Sequence, residues 1–475
     1  MDHFDVLVIG SGSGGTIVQA ALYNGMKVAY VEKGPLGGTC LNRGCIPSKM
    51  VIYPADVINQ IRHAERLGIK VDIEEIDFGY IMERMRRSIE EDRRHMEEGI
   101  DQIEGLTFFH EQGEFVGDYM MDVGGETIKA ENIFIASGAR PNIPPIRGLE
   151  RVEYLTSENV WGLTEAPESM VIVGGGLVAV EMAHFFSSVG VNVTILSRSP
   201  RLIKQSEPEI SYLLEKSLVR RMSVYTGIEA GEVSNGDGTV VVAAMDKEGE
   251  EHTFEAETLF IAAGRRSNAD LLKPERTGVE LDDRGFIEVD EYYRTTKERI
   301  WSFGDAIGRA MFRHVANKEA ELVWYAFSHG HRQTLDYSKV PYAVFSWPQV
   351  GSVGLTEREA LDQGYDVLVG TYNYADTAKG MAMVEEEGFV KVVVEGQGSR
   401  ILGAHIIGPY APILVQEVTN VMYCQGGTAR TIQDTMHIHP ALPEVVQRAF
   451  YNLTRSSHNH RTDPAHVGLN NTQRE

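Results

Sequence analysis

Cysteine is scarce in this chain: three in 475 residues, two of them at Cys40 and Cys45. They lie in Gly37-Gly38-Thr39-Cys40-Leu41-Asn42-Arg43-Gly44-Cys45-Ile46-Pro47-Ser48-Lys49. In a regular helix, five steps place the two Cα atoms roughly 8.7 Å apart on different faces. A disulfide needs them within about 7 Å. A bond therefore demands a distorted first turn, which Gly37, Gly38 and Gly44 permit and Pro47 tolerates. Such a bond is strained and easily reduced, and a helix starting here favours a thiolate at its N-terminus. A pair of this kind in a reducing compartment points to redox or metal chemistry. The alternative is two reduced thiols packed in a core. Zinc finds no second cysteine pair to complete a tetrahedral site, so no metal is expected.

A second candidate is His437-Ile438-His439-Pro440-Ala441-Leu442-Pro443-Glu444. The residue before a proline is held extended, and Glu444 is placed to fix the His439 imidazole in one tautomer. The same pattern also serves as an ordinary helix entry. The third cysteine, Cys424, falls in an apolar helix-like run and reads as core packing.

Positioning these residues falls to a mixed α/β chain. The apolar run Val6-Leu7-Val8-Ile9 enters Gly10-Ser11-Gly12-Ser13-Gly14-Gly15, a helix-like segment follows from Thr16 to Gly25, and a strand from Lys27 to Val31 ends at Glu32. This is a dinucleotide fingerprint. Gly10 turns the chain, Gly12 admits a pyrophosphate, Gly15 packs helix on strand, and Glu32 binds a ribose. The helix N-terminus faces the phosphates. From Ile76 to Ile103, the spacing of Met82, Met85, Ile89, Met96 and Ile100 predicts an amphipathic helix with a buried stripe. Strand-like runs with a turn at Gly124-Gly125 lead to Ile133-Phe134-Ile135-Ala136-Ser137-Gly138-Ala139, and Pro141, Pro144 and Pro145 mark a junction.

The fingerprint recurs. Val171-Ile172-Val173 enters Gly174-Gly175-Gly176, a helix carries Glu181, and the next strand, Val191 to Leu196, ends in Ser197-Arg198-Ser199-Pro200-Arg201. No acid stands at that strand end. A 2′-phosphate wants arginine and no carboxylate, so Ser197, Arg198 and Arg201 favour NADPH, with NADH as the alternative. Leu259 to Asn268, including Gly264, echoes the earlier Phe134 to Gly138 strand. Ile300-Trp301-Ser302-Phe303-Gly304-Asp305 ends in an acid suited to a ribose or ribityl hydroxyl, and a helix-like run from His314 to Phe327 follows. From about Pro341 strands and turns take over, at Tyr342 to Phe345, Phe389 to Val394 and Ile401 to Ile407, with helices around Ile413 to Cys424 and Pro443 to Leu453. A polar tail from Ser456 to Glu475 is expected to be mobile.

A chain this long needs more than one core, and 43% hydrophobic with 24% charged residues is an ordinary globular composition. The net charge of -23 argues against nucleic acid or an anionic membrane as partner. No basic flank of a signal peptide and no bilayer-length apolar run is present, so the expected location is the cytoplasm.

With both glycine turns and the cysteine pair in place, the chain resembles the flavin-dependent pyridine nucleotide-disulfide oxidoreductases to about Leu453, most specifically over Gly38 to Lys49. The resemblance implies an α/β protein of two Rossmann-like dinucleotide-binding domains, for FAD and NAD(P), plus a C-terminal α+β dimerisation domain. The implied division is 1–148 for FAD, 149–275 for NAD(P), a central segment 276–340 completing the FAD domain, an interface domain 341–455, and the tail 456–475.

By matching position, the resemblance implies that FAD is held by the first glycine turn (Gly10, Gly12, Gly15) with Glu32 and Lys33, by Gly38 and Thr39, by Ser137 and Gly138, and by Asp305. The nicotinamide cofactor is held by Gly174, Gly176, Ser197, Arg198, Arg201 and Gly264. Lys49 and Glu181 form an ion pair near the flavin. The resemblance further implies that Cys45 is the thiolate that stays beside the flavin and Cys40 the thiol that exchanges with substrate. His439 and Glu444 are the acid-base pair, acting across a homodimer on the partner's cysteines. The implied substrate is a small disulfide or dithiol. Within the family, His314-Val315-Ala316-Asn317, the run Ile438 to Glu444 and the acid-free Ser197-Arg198 look more like mycothione reductase than dihydrolipoamide dehydrogenase. The latter stays the alternative, and a flavin-binding redox sensor a third. The vicinal C-terminal cysteines of mercuric reductase are absent.

Overall fold

A computed structural model describes residues 2–424 and 426–457; the tail beyond 457 lies outside the described residues. The chain forms two compact units, Met1–Gln349 and Val350–Glu475.

The first unit is built on two parallel sheets. In one, β1 (Asp2–Ile9), β2 (Val28–Val31), β3 (Leu106–Phe109), β6 (Glu126–Ile135) and β16 (Ile300–Ser302) run in the order β3-β2-β1-β6-β16. On that edge the first half of β6 pairs instead with the antiparallel β5 (Met120–Val123), which in turn pairs with β4 (Gly113–Gly117). Val6 to Ile9, Val28 to Val31 and Ile133 to Ile135 are all buried, as central parallel strands covered on both faces must be. The helix α1 (Gly14–Tyr23) crosses from β1 to β2. Between β2 and β3 stand α2 (Gly38–Asn42), α3 (Cys45–His63) and α4 (Phe78–Glu97). Phe78, Ile81, Met82, Met85 and Ile89 form the buried side of α4, but Met96 is exposed. The expected stripe thus holds within α4 as far as Ile89, fails at Met96, and resumes beyond the end of the helix at Ile100, which packs partly buried against the core of the first sheet.

The second sheet repeats the plan. The strands β8 (Ser169–Val173), β9 (Asn192–Ser197), β10 (Ser223–Thr226) and β14 (Thr258–Ile261) are parallel in the order β10-β9-β8-β14. The helix α5 (Leu177–Ser188) follows β8, and α6 (Pro208–Leu218) precedes β10. An antiparallel meander of β11 (Ile228–Asn235), β12 (Val240–Asp246) and β13 (Glu251–Ala256) interrupts the return to β14. The two turns obey one steric rule. A Cβ on Gly10 (φ 102°) would run into the Ala136 carbonyl, and one on Gly174 (φ 142°) into the Ala262 carbonyl. The chain leaves the first sheet and returns from the second as an antiparallel ribbon, β7 (Ala139–Pro141) against β15 (Arg265–Ser267), with Pro141 opposite Arg265. The helix α7 (Arg313–His329) and the strand β17 (Tyr342–Val344) complete the unit.

The second unit is α+β. The strands β18 (Val350–Gly354), β21 (Ile401–Ile407), β20 (Phe389–Glu395), β19 (Val367–Asn373) and β22 (Thr454–Arg455) are antiparallel neighbours in that order. The helices are α8 (Glu357–Asp362), α9 (Ala378–Ala382), α10 (Ala411–Tyr423), α11 (Ala429–Asp434) and α12 (Pro443–Tyr451). Val390, Val392, Ala404 and Ile406 pack with Leu414 and Val418 of α10 and Val445 and Phe450 of α12. Cys424 is exposed. The reading of it as core is corrected: α10 ends at Tyr423, so Cys424 is its C-cap and off the buried stripe. Among the described residues no helix is long and apolar enough to cross a membrane.

Candidate active site

The cysteines do not share a helix. Cys40 belongs to the five-residue α2, and Cys45 is the first residue of the nineteen-residue α3, with Arg43-Gly44 between them. Gly44 (φ -129°, ψ -109°) makes the break, and two further glycines set the entry to α2. Gly37 (φ 92°) and Gly38 (φ 63°) take left-handed conformations, and a Cβ on Gly38 would stand 2.8 Å from the Gly12 Cα. Asn42 ties the loop down, donating to the carbonyls of Leu36 (2.8 Å), Gly38 (3.0 Å) and Pro35 (3.3 Å). Arg43 is ion-paired with Glu158, and the Trp161 indole donates to the Arg43 carbonyl (3.0 Å).

Both cysteines are free thiols, Cys40 half-buried and Cys45 exposed. The hydrogen bond between them divides one proton unequally. It pulls Cys45 down to about 6, with Lys49 and Arg313 adding to the effect against the cost of burial. The same bond pushes Cys40 strongly up. The dithiol thus carries a thiolate at Cys45 and a protonated Cys40, and a helix N-terminus suits the anion.

One turn into α3, Lys49 Nζ meets Glu181 Oε2 of α5 at 2.7 Å and lies 4.5 Å from the Phe345 ring centroid. Glu181 also accepts from the Phe345 amide (3.1 Å). A buried network unnoticed in the sequence pins the same two helices further along. His184 is fully buried, with Nε2 2.9 Å from Asp56 and Nδ1 3.2 Å from Arg221. Burial holds His184 below its ordinary value, hence neutral. Arg221 can only donate, so Nδ1 accepts and Nε2–H donates to Asp56. Asn59 donates to Ser188 (2.7 Å) beside them.

The first glycine turn forms a cradle. Glu32 accepts from the Ser11 amide (2.7 Å) and the Gly34 amide (2.8 Å), which closes the loop while leaving carboxylate lone pairs for a ribose. Gly14, not Gly15, makes the tight helix–strand contact: a Cβ there would lie 2.9 Å from Val8 Cγ1, whereas one on Gly15 meets nothing nearer than the Tyr30 hydroxyl at 3.6 Å. The expectation for Gly15 is corrected, because residue 14 is the first of α1 and faces β1. At the end of β6, Ser137 Oγ is buried with no hydrogen-bond partner among the described residues, and Gly138 (φ 70°) follows. Burial raises the Asp305 carboxyl, with Arg265 at 3.5 Å as its cation. An orphaned hydroxyl, a desolvated carboxylate and a cradle that side chains would fill fit a dinucleotide such as FAD. Lys33 is exposed and Thr39 half-buried.

The second glycine turn differs. A Cβ on Gly175 would run into Ser197 Oγ, while one on Gly176 or Gly264 meets open space. Ser197 is buried, with its hydroxyl turned to the Ser199 carbonyl (3.2 Å). Arg201 reaches the Lys204 carbonyl (3.4 Å). Arg198 is exposed and paired with Glu229 of β11 at 3.1 Å. The strand end is acid-free in sequence only; the fold brings Glu229 to it.

In the second unit, His439 Nδ1 lies 3.0 and 3.1 Å from the two Glu444 oxygens, and the Ala441 amide donates to Glu444 (3.2 Å). The hydrogen bond from His439 holds Glu444 below the usual carboxylate range. The imidazole is 71% exposed, and its Nε2 has no hydrogen-bond partner among the described residues. Its neighbour His437 is instead buried against Glu417 (2.6 Å).

Two family models match the chain: "pyridine nucleotide-disulphide oxidoreductase" over residues 4–320, and the dimerisation domain of the same class over 340–450. Mycothione reductase of Mycobacterium tuberculosis is 37% identical over 95% of this chain and 100% of its own length. Dihydrolipoyl dehydrogenase of Halobacterium salinarum is 33% identical over 94% and 95%. Among solved structures, the copper(II) complex of the HOCl-induced flavoprotein disulfide reductase RclA from Escherichia coli superposes with a TM-score of 0.85 at 27% identity, covering 95% of this chain and 99% of that one. Two Rossmann-like folds, a paired dithiol and these likenesses agree: the chain belongs to the pyridine nucleotide-disulphide oxidoreductases, enzymes that use FAD and NAD(P)H.

Proposed function

We propose that the protein reduces a low-molecular-weight disulfide at the expense of NADPH. The observation carrying this reading is the dithiol itself, an exposed Cys45 held toward the thiolate beside a protonated Cys40. FAD, when bound, supplies the hydride-accepting chemistry that links the nicotinamide to the cysteines. The chain's own residues do the rest. In the reduced protein Cys40 gives its proton to His439 and attacks one substrate sulfur; the S–S bond breaks and the departing thiolate takes that proton back. Cys45 then attacks the Cys40 sulfur of the mixed disulfide, expels the second thiolate to be protonated by water, and closes the Cys40–Cys45 bond. The balance is NADPH + H⁺ + RSSR to NADP⁺ + 2 RSH. Glu444 orients the imidazole. His439 comes from the second subunit of a homodimer in this reading, and the cytoplasm is the setting.

The likeness to mycothione reductase favours the reductive direction. The Arg198–Glu229 pair favours a second reading, dihydrolipoamide oxidation by NAD, since that arginine already has an anion. Assays of NADPH and NADH against lipoamide, glutathione-type and cysteine-derived disulfides, beside NAD with dihydrolipoamide, decide between them. NADPH-linked reduction of one disulfide is expected to lead; a leading rate for NAD with dihydrolipoamide overturns the first reading.

A further inference from the structure

Arg313 is the first residue of α7 and makes no hydrogen bond or ion pair with the described residues. Its place is set from two sides. One turn along α7, Asn317 accepts from the Ser13 hydroxyl at 2.8 Å, which docks the helix on the first glycine turn. Arg313 Nη1 then lies 3.6 Å from the point where a Cβ on Gly12 would stand. The same Gly12 is covered on another side by Gly38, two residues ahead of Cys40. A half-buried guanidinium therefore stands beside the glycine that leaves room at the N-terminus of α1. A partly desolvated cation without a counter-charge is costly, and a diphosphate offers a guanidinium anionic oxygens for bidentate hydrogen bonds.

We propose that Arg313 binds the diphosphate of FAD at the first glycine turn, adding a side-chain cation to the amides of the α1 N-terminus. Nothing at this position in the glycine fingerprint announces it. The proposal rests on the first glycine turn being the FAD site, and is independent of which disulfide is reduced. The same charge reaches the cysteines and favours their thiolates, so one residue serves cofactor and dithiol.

The test is FAD release from the purified holoenzyme, followed by flavin fluorescence in rising potassium bromide, for Arg313→Gln, Arg313→Lys, Glu32→Ala and Lys318→Gln. Arg313→Gln is expected to release FAD about 10-fold faster, Arg313→Lys to fall between it and the parent, and Lys318→Gln, an exposed change on the same helix, to behave as the parent. In the apoprotein, Arg313→Gln should also move the alkylation midpoint of Cys45 upward, its other facing groups, Cys40 and Lys49, being unchanged. Parent-like release from Arg313→Gln with faster release from Glu32→Ala overturns the role of Arg313 alone. Parent-like release from both overturns the FAD site as well. If the Arg313→Gln apoprotein melts lower, Arg313→Lys decides: release as fast as the glutamine variant from a normally folded lysine variant also overturns the proposal.

Discussion

Cys45 is pulled down to about 6, whereas an unperturbed thiol titrates near 8.5. Alkylation of the reduced protein by iodoacetamide should therefore reach half its plateau near pH 6 at Cys45, with Cys40 unreacted; a single midpoint above 8 contradicts the unequal pair. The sign for stability follows. A lowered thiol value adds stability above the unfolded value of about 8.5, and that contribution is lost as pH falls through about 6. Lys49→Gln should raise the Cys45 midpoint, because Lys49 lowers it. At the second turn, an exposed arginine–glutamate pair is worth about 1 kcal/mol or less. Glu229→Gln, which frees Arg198, should accordingly raise the NADPH-to-NADH ratio of kcat/KM by about 2- to 5-fold, and Ser197→Glu should lower it. An unchanged ratio in both variants removes this strand end from cofactor choice.

Helix α1 offers a sharp contrast between adjacent glycines. Gly14→Ala forces a Cβ to 2.9 Å from Val8 and 3.3 Å from Ala136, an overpacking that costs about 1–3 kcal/mol. Gly15→Ala has room and should be neutral or stabilising by up to about 1 kcal/mol; urea melts of the two variants measure the difference. The glycine turns and their flanking strands are legible in the sequence because each needs only a contiguous apolar run and a glycine where a carbonyl approaches. Which glycine faces β1 is not legible, since the three at 12, 14 and 15 satisfy the same pattern. The break between α2 and α3 is foreshadowed by geometry, yet its anchor, Asn42 on three carbonyls, carries no local signal. Arg313 and Glu229 act only through docking of segments remote in sequence. Cys424 misleads because the apolar period of α10 runs up to Tyr423 and says nothing of where the helix stops. With five residues, α2 is too short to be stable alone, while α3 is long and pinned to α5. Amides of 39–42 should exchange with solvent faster than those of 50–60, and Cys40 should be the sulfur that moves when the bond opens; equal protection across both helices argues otherwise.

For the whole molecule, the dimerisation domain and the exposed His439 lead to a complementation test. If His439 serves the partner's cysteines, random mixing of Cys40→Ala and His439→Ala subunits should restore about a quarter of parental activity, since about half the dimers are hybrid and each holds one intact site. No restoration places histidine and cysteines within one chain. The ribbon of β7 and β15 bears on how the molecule can be engineered. Pro141 and Arg265 face each other as strand partners, so the whole of 142–264 enters and leaves at a single spot. Neighbouring strands are about 5 Å apart, a gap that a two-residue turn closes, but α5 inside that stretch is also packed on α3 through Lys49–Glu181 and Asp56–His184. A chain joined from Pro141 through Asn-Gly to Arg265 should keep the backbone path of the first sheet while losing the second glycine turn and uncovering Lys49, Asp56 and Asn59 of α3, whose partners Glu181, His184 and Ser188 lie in the removed stretch; a urea melt of the joined chain, expected to fall below the parent, measures that loss.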